Sequence, residues 1–178
     1  PSSGELVALC AAGAFGELDL LALSEARGEA ILAAAGDDPG TMAAVHGAAA
    51  VVTAALEDHP DVIVANDNSP EQCVISGPTR AVDRAVTTLE GRGLRAQRIP
   101  VACAFHSRLV AAAQHSLAQH LAEYAVATPA IPVWSNSTAT PYPAAPQAVR
   151  DVLAGQVAQP VRFTAEIESM YQAGARVF

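Results

Sequence analysis

Between Thr41 and Val101 the chain reads as β-α-β-β-α-β, and that order constrains the fold more than any other feature. Thr41–His46 reads as a short strand and Ala48–Glu57 as a helix. Asp61–Ala65 (Asp-Val-Ile-Val-Ala) is the next strand, and Asn66-Asp67-Asn68-Ser69-Pro70 the turn after it. Gln72–Ser76 returns as a strand. Pro78 then starts a helix to about Arg92, Gly93 caps it, and Leu94–Val101 closes the set. Short apolar runs mark the strands, and Gly, Pro and Asx clusters punctuate them. The order is the ferredoxin-like split unit, expected as an inserted small lobe over residues 39–103.

The flanks follow another pattern. Residues 5–14 read as a helix, and a second runs from about Leu18 to Ala35, ended by Gly36-Asp37-Asp38-Pro39-Gly40. Its apolar stripe, Leu20, Leu23, Arg27, Ile31 and Ala34, contains an arginine. A buried guanidinium requires an anion, either an internal carboxylate or a ligand. Downstream, Phe105-His106-Ser107 opens a helix to about Tyr124, and Pro129–Pro132 breaks the chain. Val133–Asn136 reads as a short buried strand, before a proline-rich loop and helices near 147–157 and 163–173. At the front, Ser2-Ser3-Gly4-Glu5 before an apolar helix reads as half of a nucleophile elbow, in which a strand-to-helix turn projects a serine hydroxyl. Only Ser2 fits, since Ser3 is followed directly by glycine. The expected class is α/β. Residues 1–38 and 104–178 form a hydrolase-like catalytic lobe, partial and lacking its N-terminal part. An elbow needs a strand before it, and Gly174–Phe178 reads as the start of another strand, so both ends look cut.

The net charge of −8 argues against nucleic acid and anionic membrane as partners. No apolar run approaches the ~20 residues of a membrane span. Three cysteines, odd in number and without CxxC spacing, favour a reduced, cytoplasmic setting over a disulfide framework. The histidines show no metal-ligand pattern, and no metal is expected; His115 and His120 suit a solvated helix face. Six of the ten basic residues, all arginines, fall between Arg80 and Arg108. That stretch reads either as a solvated surface or as a dock for an acidic partner.

With these pieces in order, the chain resembles the malonyl-CoA:acyl-carrier-protein transacylases. More narrowly, it is similar to the acyltransferase domain of type I polyketide synthases. Ser2, Gly4 and Glu5 match the family motif Gly-His-Ser-x-Gly-Glu, with Pro1 in place of its histidine. Ala26-Arg27-Gly28 stands where the family carries its substrate arginine, and Asn68–Gly77 matches its Asn-x-Pro-x-x-x-Val-x-Ser-Gly stretch. Cys103-Ala104-Phe105-His106 follows the malonyl-selective His-Ala-Phe-His at three of four positions. Gln156–Phe163 resembles the Gln/Asn-Leu-x-x-Pro-Val-x-Phe/Trp segment. Phe105 and Pro1 are compatible with an iterative, malonyl-only system of the enediyne kind.

The resemblance implies transfer of a malonyl unit from malonyl-CoA to the phosphopantetheine thiol of an acyl carrier protein, with no cofactor and with other synthase domains as neighbours. Ser2 inherits the nucleophile's role, His106 the base's, and the Gln156 backbone carbonyl that of orienting the imidazole. The Ser3 backbone N–H would donate to the oxyanion. Arg27 would clamp the malonyl carboxylate through its planar fork. Phe105, Cys103 and Ala104 would line the acyl pocket, Phe105 where a branched extender's methyl would go. His106, on the first turn of its helix, would stay neutral beside the positive helix end. Arg92, Arg95 and Arg98 would form one surface at the cleft for the acidic carrier protein. Two other readings stand beside this one: a serine hydrolase or esterase using the same pair, and a non-catalytic carrier-docking fragment.

Overall fold

The computed structural model describes residues 4–178. Two helices, α1 (Gly4–Ala11) and α2 (Glu17–Ala34), lead into β1 (Thr41–His46), α3 (Ala49–Ala55), β2 (Ile63–Ser69), β3 (Gln72–Gly77), α4 (Thr79–Gly91) and β4 (Arg95–Ile99). A 3-10 turn, Arg108–Val110, precedes α5 (Ala111–Ala122). The short strands β5 (Trp134–Ser135) and β6 (Thr140–Pro141), then α6 (Pro146–Gly155), β7 (Val161–Arg162) and α7 (Phe163–Gln172), complete the order.

Strands β4-β1-β3-β2 form an antiparallel sheet in ferredoxin-like order, and β7 joins β2 in parallel. Side chains alternate across a strand, so Ala43 and Val45 of β1 share a face with Ile75 and Cys73 of β3. Ala81, Val82, Ala85 and Leu89 of α4 cover that face and form a core with Val52 and Ala96. The other face carries Met42 and Val74, packed with Ala65 and flanked by Ile99 and Phe105. α4 ends where Gly93 turns left-handed at φ 82°. Its N–H donates to the Glu90 carbonyl and that of Leu94 to Leu89, the six-to-one closure that a C-terminal glycine allows.

A second core gathers Leu6 and Leu9 of α1, Leu23 and Ile31 of α2, Leu117 and Leu121 of α5, and Val149 and Leu153 of α6. The molecule is thus a mixed α/β fold with separate cores, and Phe105 packs against both the helical core and the open face of the small sheet. No helix among the described residues is long and apolar enough to cross a membrane.

Three expectations need correction. Asn66–Ser69 is strand, not turn: β2 runs through it with two register shifts, because pairing with β3 and β7 holds these polar residues extended. Phe105–Ser107 does not open a helix. His106 has φ 59°, a left-handed geometry that a right-handed helix excludes, and Ser107 instead caps the 3-10 turn by accepting from the Leu109 N–H. Residues beyond Gly174 form no strand and pair with none among the described residues; Val177 and Phe178 are exposed.

Candidate active site

The site is built around a short loop fixed at its backbone. The Ala104 N–H donates to the Pro39 carbonyl at 2.8 Å. Ser107 Oγ donates to the Ala104 carbonyl at 2.7 Å, and Ser76 Oγ of β3 to the Phe105 carbonyl at 2.9 Å. The loop can approach so closely because residue 40 is glycine. A Cβ there would stand 2.6 Å from Ala104 Cβ, and φ is 70°. These anchors present His106 in its left-handed conformation with only 3% of its surface exposed.

The imidazole is held from one side. His106 Nδ1 lies 3.2 Å from the Gln156 carbonyl and 2.9 Å from that of Gln159. Carbonyl oxygens only accept, so Nδ1 carries the proton and Nε2 presents its lone pair. Gln156 is the C-cap of α6, where helix carbonyls lack intrahelical partners, and Gln159 lies three residues farther on in the turn that follows. Burial lowers the His106 pKa to about 4. The two carbonyls pull the other way, and the nearby Arg27 charge lowers it further. The ring is therefore neutral, as anticipated, but for a different reason. It meets the negative end of α6 rather than the positive start of its own helix, and desolvation outweighs both carbonyls.

Arg27 is 9% exposed on the inner face of α2, and its Nη2 donates to Gln156 Oε1 at 3.3 Å. Burial lowers its pKa, while the charge of Glu5 opposes that shift. Gln156 thus touches both halves of the site, through its carbonyl and through its side chain. Behind it lies a buried polar cluster. Glu5 of α1 accepts from the Asn136 N–H at 2.5 Å and from the Tyr142 hydroxyl. The Asn136 carbonyl accepts from the Arg162 N–H at 2.6 Å, and Asn136 Oδ1 lies 3.5 Å from Gln156 Nε2. Burial raises the Glu5 pKa, and these hydrogen bonds restrain the shift.

A cavity of about 260 Å³ opens on the imidazole, lined by Met42, Asn66, Asn68, Val74 and Ile99 with Phe105 and His106. Phe105 stands between this cavity and the helical core. Cys103 and Ala104 are fully buried, and burial raises the Cys103 pKa, which suits a small apolar packing residue rather than a nucleophile. Ser2 and Ser3 lie outside the described residues. Among the described residues no cluster of His, Cys, Asp or Glu could hold a metal ion.

The three arginines expected on one surface are not together. Arg98 pairs with Ala43 in register, on the face covered by α4, where it meets Asp83 at 3.3 Å. Arg92 caps α4 with Asp58 4.0 Å away. Arg95 pairs with His46, two registers from Ala44 and four from Met42, and so shares the face that lines the cavity.

Sequence reasoning missed Gln159, Asn136 and Tyr142. Pro160 was the available signal for Gln159, since the residue before a proline is kept out of a helix. No local pattern links Asn136 or Tyr142 to Glu5 across more than 130 residues.

The acyl transferase domain family matches residues 2–178. The chain is 40% identical over 181 residues to the polyketide biosynthesis protein ThaF of Burkholderia thailandensis, covering 99% of this chain and 15% of that protein. It superposes on the malonyl-CoA acyl-carrier-protein transacylase structure from Burkholderia pseudomallei with a TM-score of 0.89 at 38% identity, over 97% of this chain and 59% of that one. It also superposes on the acyltransferase domain of an iterative polyketide synthase of enediyne biosynthesis, with a TM-score of 0.84 at 32% identity, over 93% and 43%. It therefore spans under two thirds of the length of these proteins. A family model matching residues 2–178 shows the family: the chain belongs to the acyl transferase domain family.

Proposed function

We propose that this chain carries the base and carboxylate-binding parts of a malonyl-CoA:acyl-carrier-protein transacylase of polyketide biosynthesis, working through a malonyl ester on Ser2. One observation carries this reading. A buried, neutral histidine whose Nδ1 proton is held by backbone carbonyls, leaving Nε2 unprotonated, shares Gln156 with a buried arginine, the cation that a malonyl carboxylate needs.

In the first half-reaction His106 Nε2 takes the Ser2 hydroxyl proton as Oγ attacks the thioester carbonyl. The Ser3 N–H donates to the developing oxyanion. The C–S bond breaks, CoA leaves with the proton returned by His106, and malonyl remains on Oγ. In the second half the phosphopantetheine thiol gives its proton to His106 and attacks the ester; the C–O bond breaks and Ser2 regains its proton. No aspartate is required, because the Gln156 and Gln159 carbonyls hold the tautomer. Arg27 binds the malonyl carboxylate. Phe105, between cavity and core, limits the room for a branched acyl group, with Cys103 and Ala104 packed behind it. Partners on this reading are malonyl-CoA, an acyl carrier protein and neighbouring synthase domains. The separate core beneath the small sheet supports the division at residues 39–103.

The test uses this sequence extended to the full length of its relatives. Mixed with malonyl-CoA, the protein gains one malonyl mass. Ser2→Ala gains none, and His106→Ala acquires it about 10²–10⁴-fold more slowly. A malonyl adduct on Ser2→Ala, or undiminished acylation by His106→Ala, removes the reading.

A further inference from the structure

The Gln156 side chain has no part in the mechanism so far, which uses only the backbone carbonyl. Yet it is 1% exposed and sits between the two functional groups of the site. Its Oε1 accepts from Arg27 Nη2 at 3.3 Å. Its Nε2 faces Asn136 Oδ1 at 3.5 Å, and the Glu5 carboxylate lies close enough for the Gln156 side chain to help keep it charged.

That arrangement gives the amide one orientation. Both groups at its nitrogen end are acceptors, and the guanidinium at its oxygen end is a donor. Turning the amide over would set an NH2 group against the guanidinium and an oxygen against two oxygens. The acceptors are themselves held: Glu5 ties Asn136 through its N–H and the strand segment through Tyr142, and the Asn136 carbonyl is engaged by the Arg162 N–H. The oxygen presented to Arg27 is therefore fixed by residues from α1, the turn that follows β5, and β7.

We propose that the Gln156 carboxamide is a positioning residue for acyl-group selection: held by Asn136 and Glu5, it orients the Arg27 guanidinium so that its fork meets the carboxylate of a dicarboxylic acyl group. The inference rests on Arg27 being the carboxylate clamp. It assigns Gln156 two separable tasks, its backbone carbonyl setting the base and its side chain setting the clamp. A carboxamide suits the second task because it orients the cation without neutralising it. A carboxylate at the same place would occupy the guanidinium and compete with the substrate.

The experiment measures malonyl and acetyl transfer to a carrier protein by the full-length enzyme and its Gln156→Leu, Arg27→Ala and doubly substituted forms. Gln156→Leu retains the backbone carbonyl. It should lower the malonyl-to-acetyl ratio of kcat/KM by roughly ten- to hundredfold, as expected for a lost hydrogen bond to a charged group. In the Arg27→Ala background the same substitution should leave the ratio where Arg27→Ala alone puts it. If Gln156→Leu unfolds, Gln156→Glu serves, since it keeps the shape and an acceptor; its charge should lower the ratio at least as far. Three results overturn the inference while sparing the clamp: an unshifted ratio in Gln156→Leu, an undiminished effect in the Arg27→Ala background, or an unshifted ratio in Gln156→Glu. An unshifted ratio in Arg27→Ala itself overturns the clamp, and this inference with it.

Discussion

On the proposed mechanism, lowering the pH from 7 to 5 should barely slow malonylation, although the proposed base, His106, is a histidine. The carbonyls of Gln156 and Gln159 fix the proton on Nδ1, so the active form is the neutral ring with Nε2 unprotonated. Burial places its pKa at about 4, against 6.5 for an ordinary histidine. At pH 5 an imidazole of pKa 6.5 is only about 3% neutral, whereas one of pKa 4 is about 90% neutral. The two cases differ some thirtyfold in active base at that pH and hardly at all at pH 7. Among the described residues, the groups facing the ring, the Arg27 guanidinium and the Gln156 and Gln159 carbonyls, do not titrate in that range. The assay is single-turnover malonylation by rapid quench and intact mass, with kcat/KM followed from pH 8 to pH 4. The same shift works on stability. Between pH 6.5 and 4 the unfolded chain binds a proton that the folded chain refuses, so stability falls as pH drops through that window, by up to about 3 kcal/mol. Circular dichroism at each pH separates loss of fold from loss of base. A rate that falls with a midpoint between 6 and 7 while the fold persists would refute the reasoning.

Two further outcomes concern charge. Arg95 shares the cavity face of the sheet, while Arg98 is engaged by Asp83 on the other face. Arg95→Glu should therefore raise the KM for carrier protein more than Arg98→Glu does, and the difference should shrink at 1 M salt, where the Debye length is about 3 Å. Equal effects, or an effect confined to acylation by CoA, would end the docking role of Arg95. Glu166 lies beside Glu5 in a buried setting that raises its pKa to about 7. Between pH 4.5 and 7 the folded state holds a proton that the unfolded state releases, so this group costs stability as pH rises through that window. Glu166→Gln should raise the melting temperature at pH 8 and leave it unchanged near pH 4.5, as differential scanning calorimetry would report. A lower melting temperature at pH 8 would contradict the assignment.

Much of the architecture lies in local signals. Strand β1 was legible to the residue, because Thr41–His46 is a short apolar run between two breakers, Gly40 and Gly47. α4 was legible from its apolar positions 81, 82, 85 and 89 and from the glycine that ends it. Arg27 stood out in the sequence because a charge interrupts an apolar stripe, and its burial follows from that spacing. Motif resemblance singled out His106 and Gln156 and joined them to Arg27, and the structure brings these three residues together, His106 on the Gln156 backbone carbonyl and Arg27 on its side chain. What the sequence could not determine depends on contacts between distant segments. Asn66–Ser69 has turn composition but is held extended by strands on both sides. The left-handed turn at His106 is imposed by bonds from Pro39 and Ser76, not by any local preference of Phe-His-Ser. Which face Arg95 and Arg98 occupy is set by pairing register, and a shift of one residue would exchange them. The amide orientation of Gln156 follows from Glu5 and Asn136, whose meeting only tertiary packing decides, because a hydrogen bond between residues 131 positions apart leaves no periodic trace along the chain.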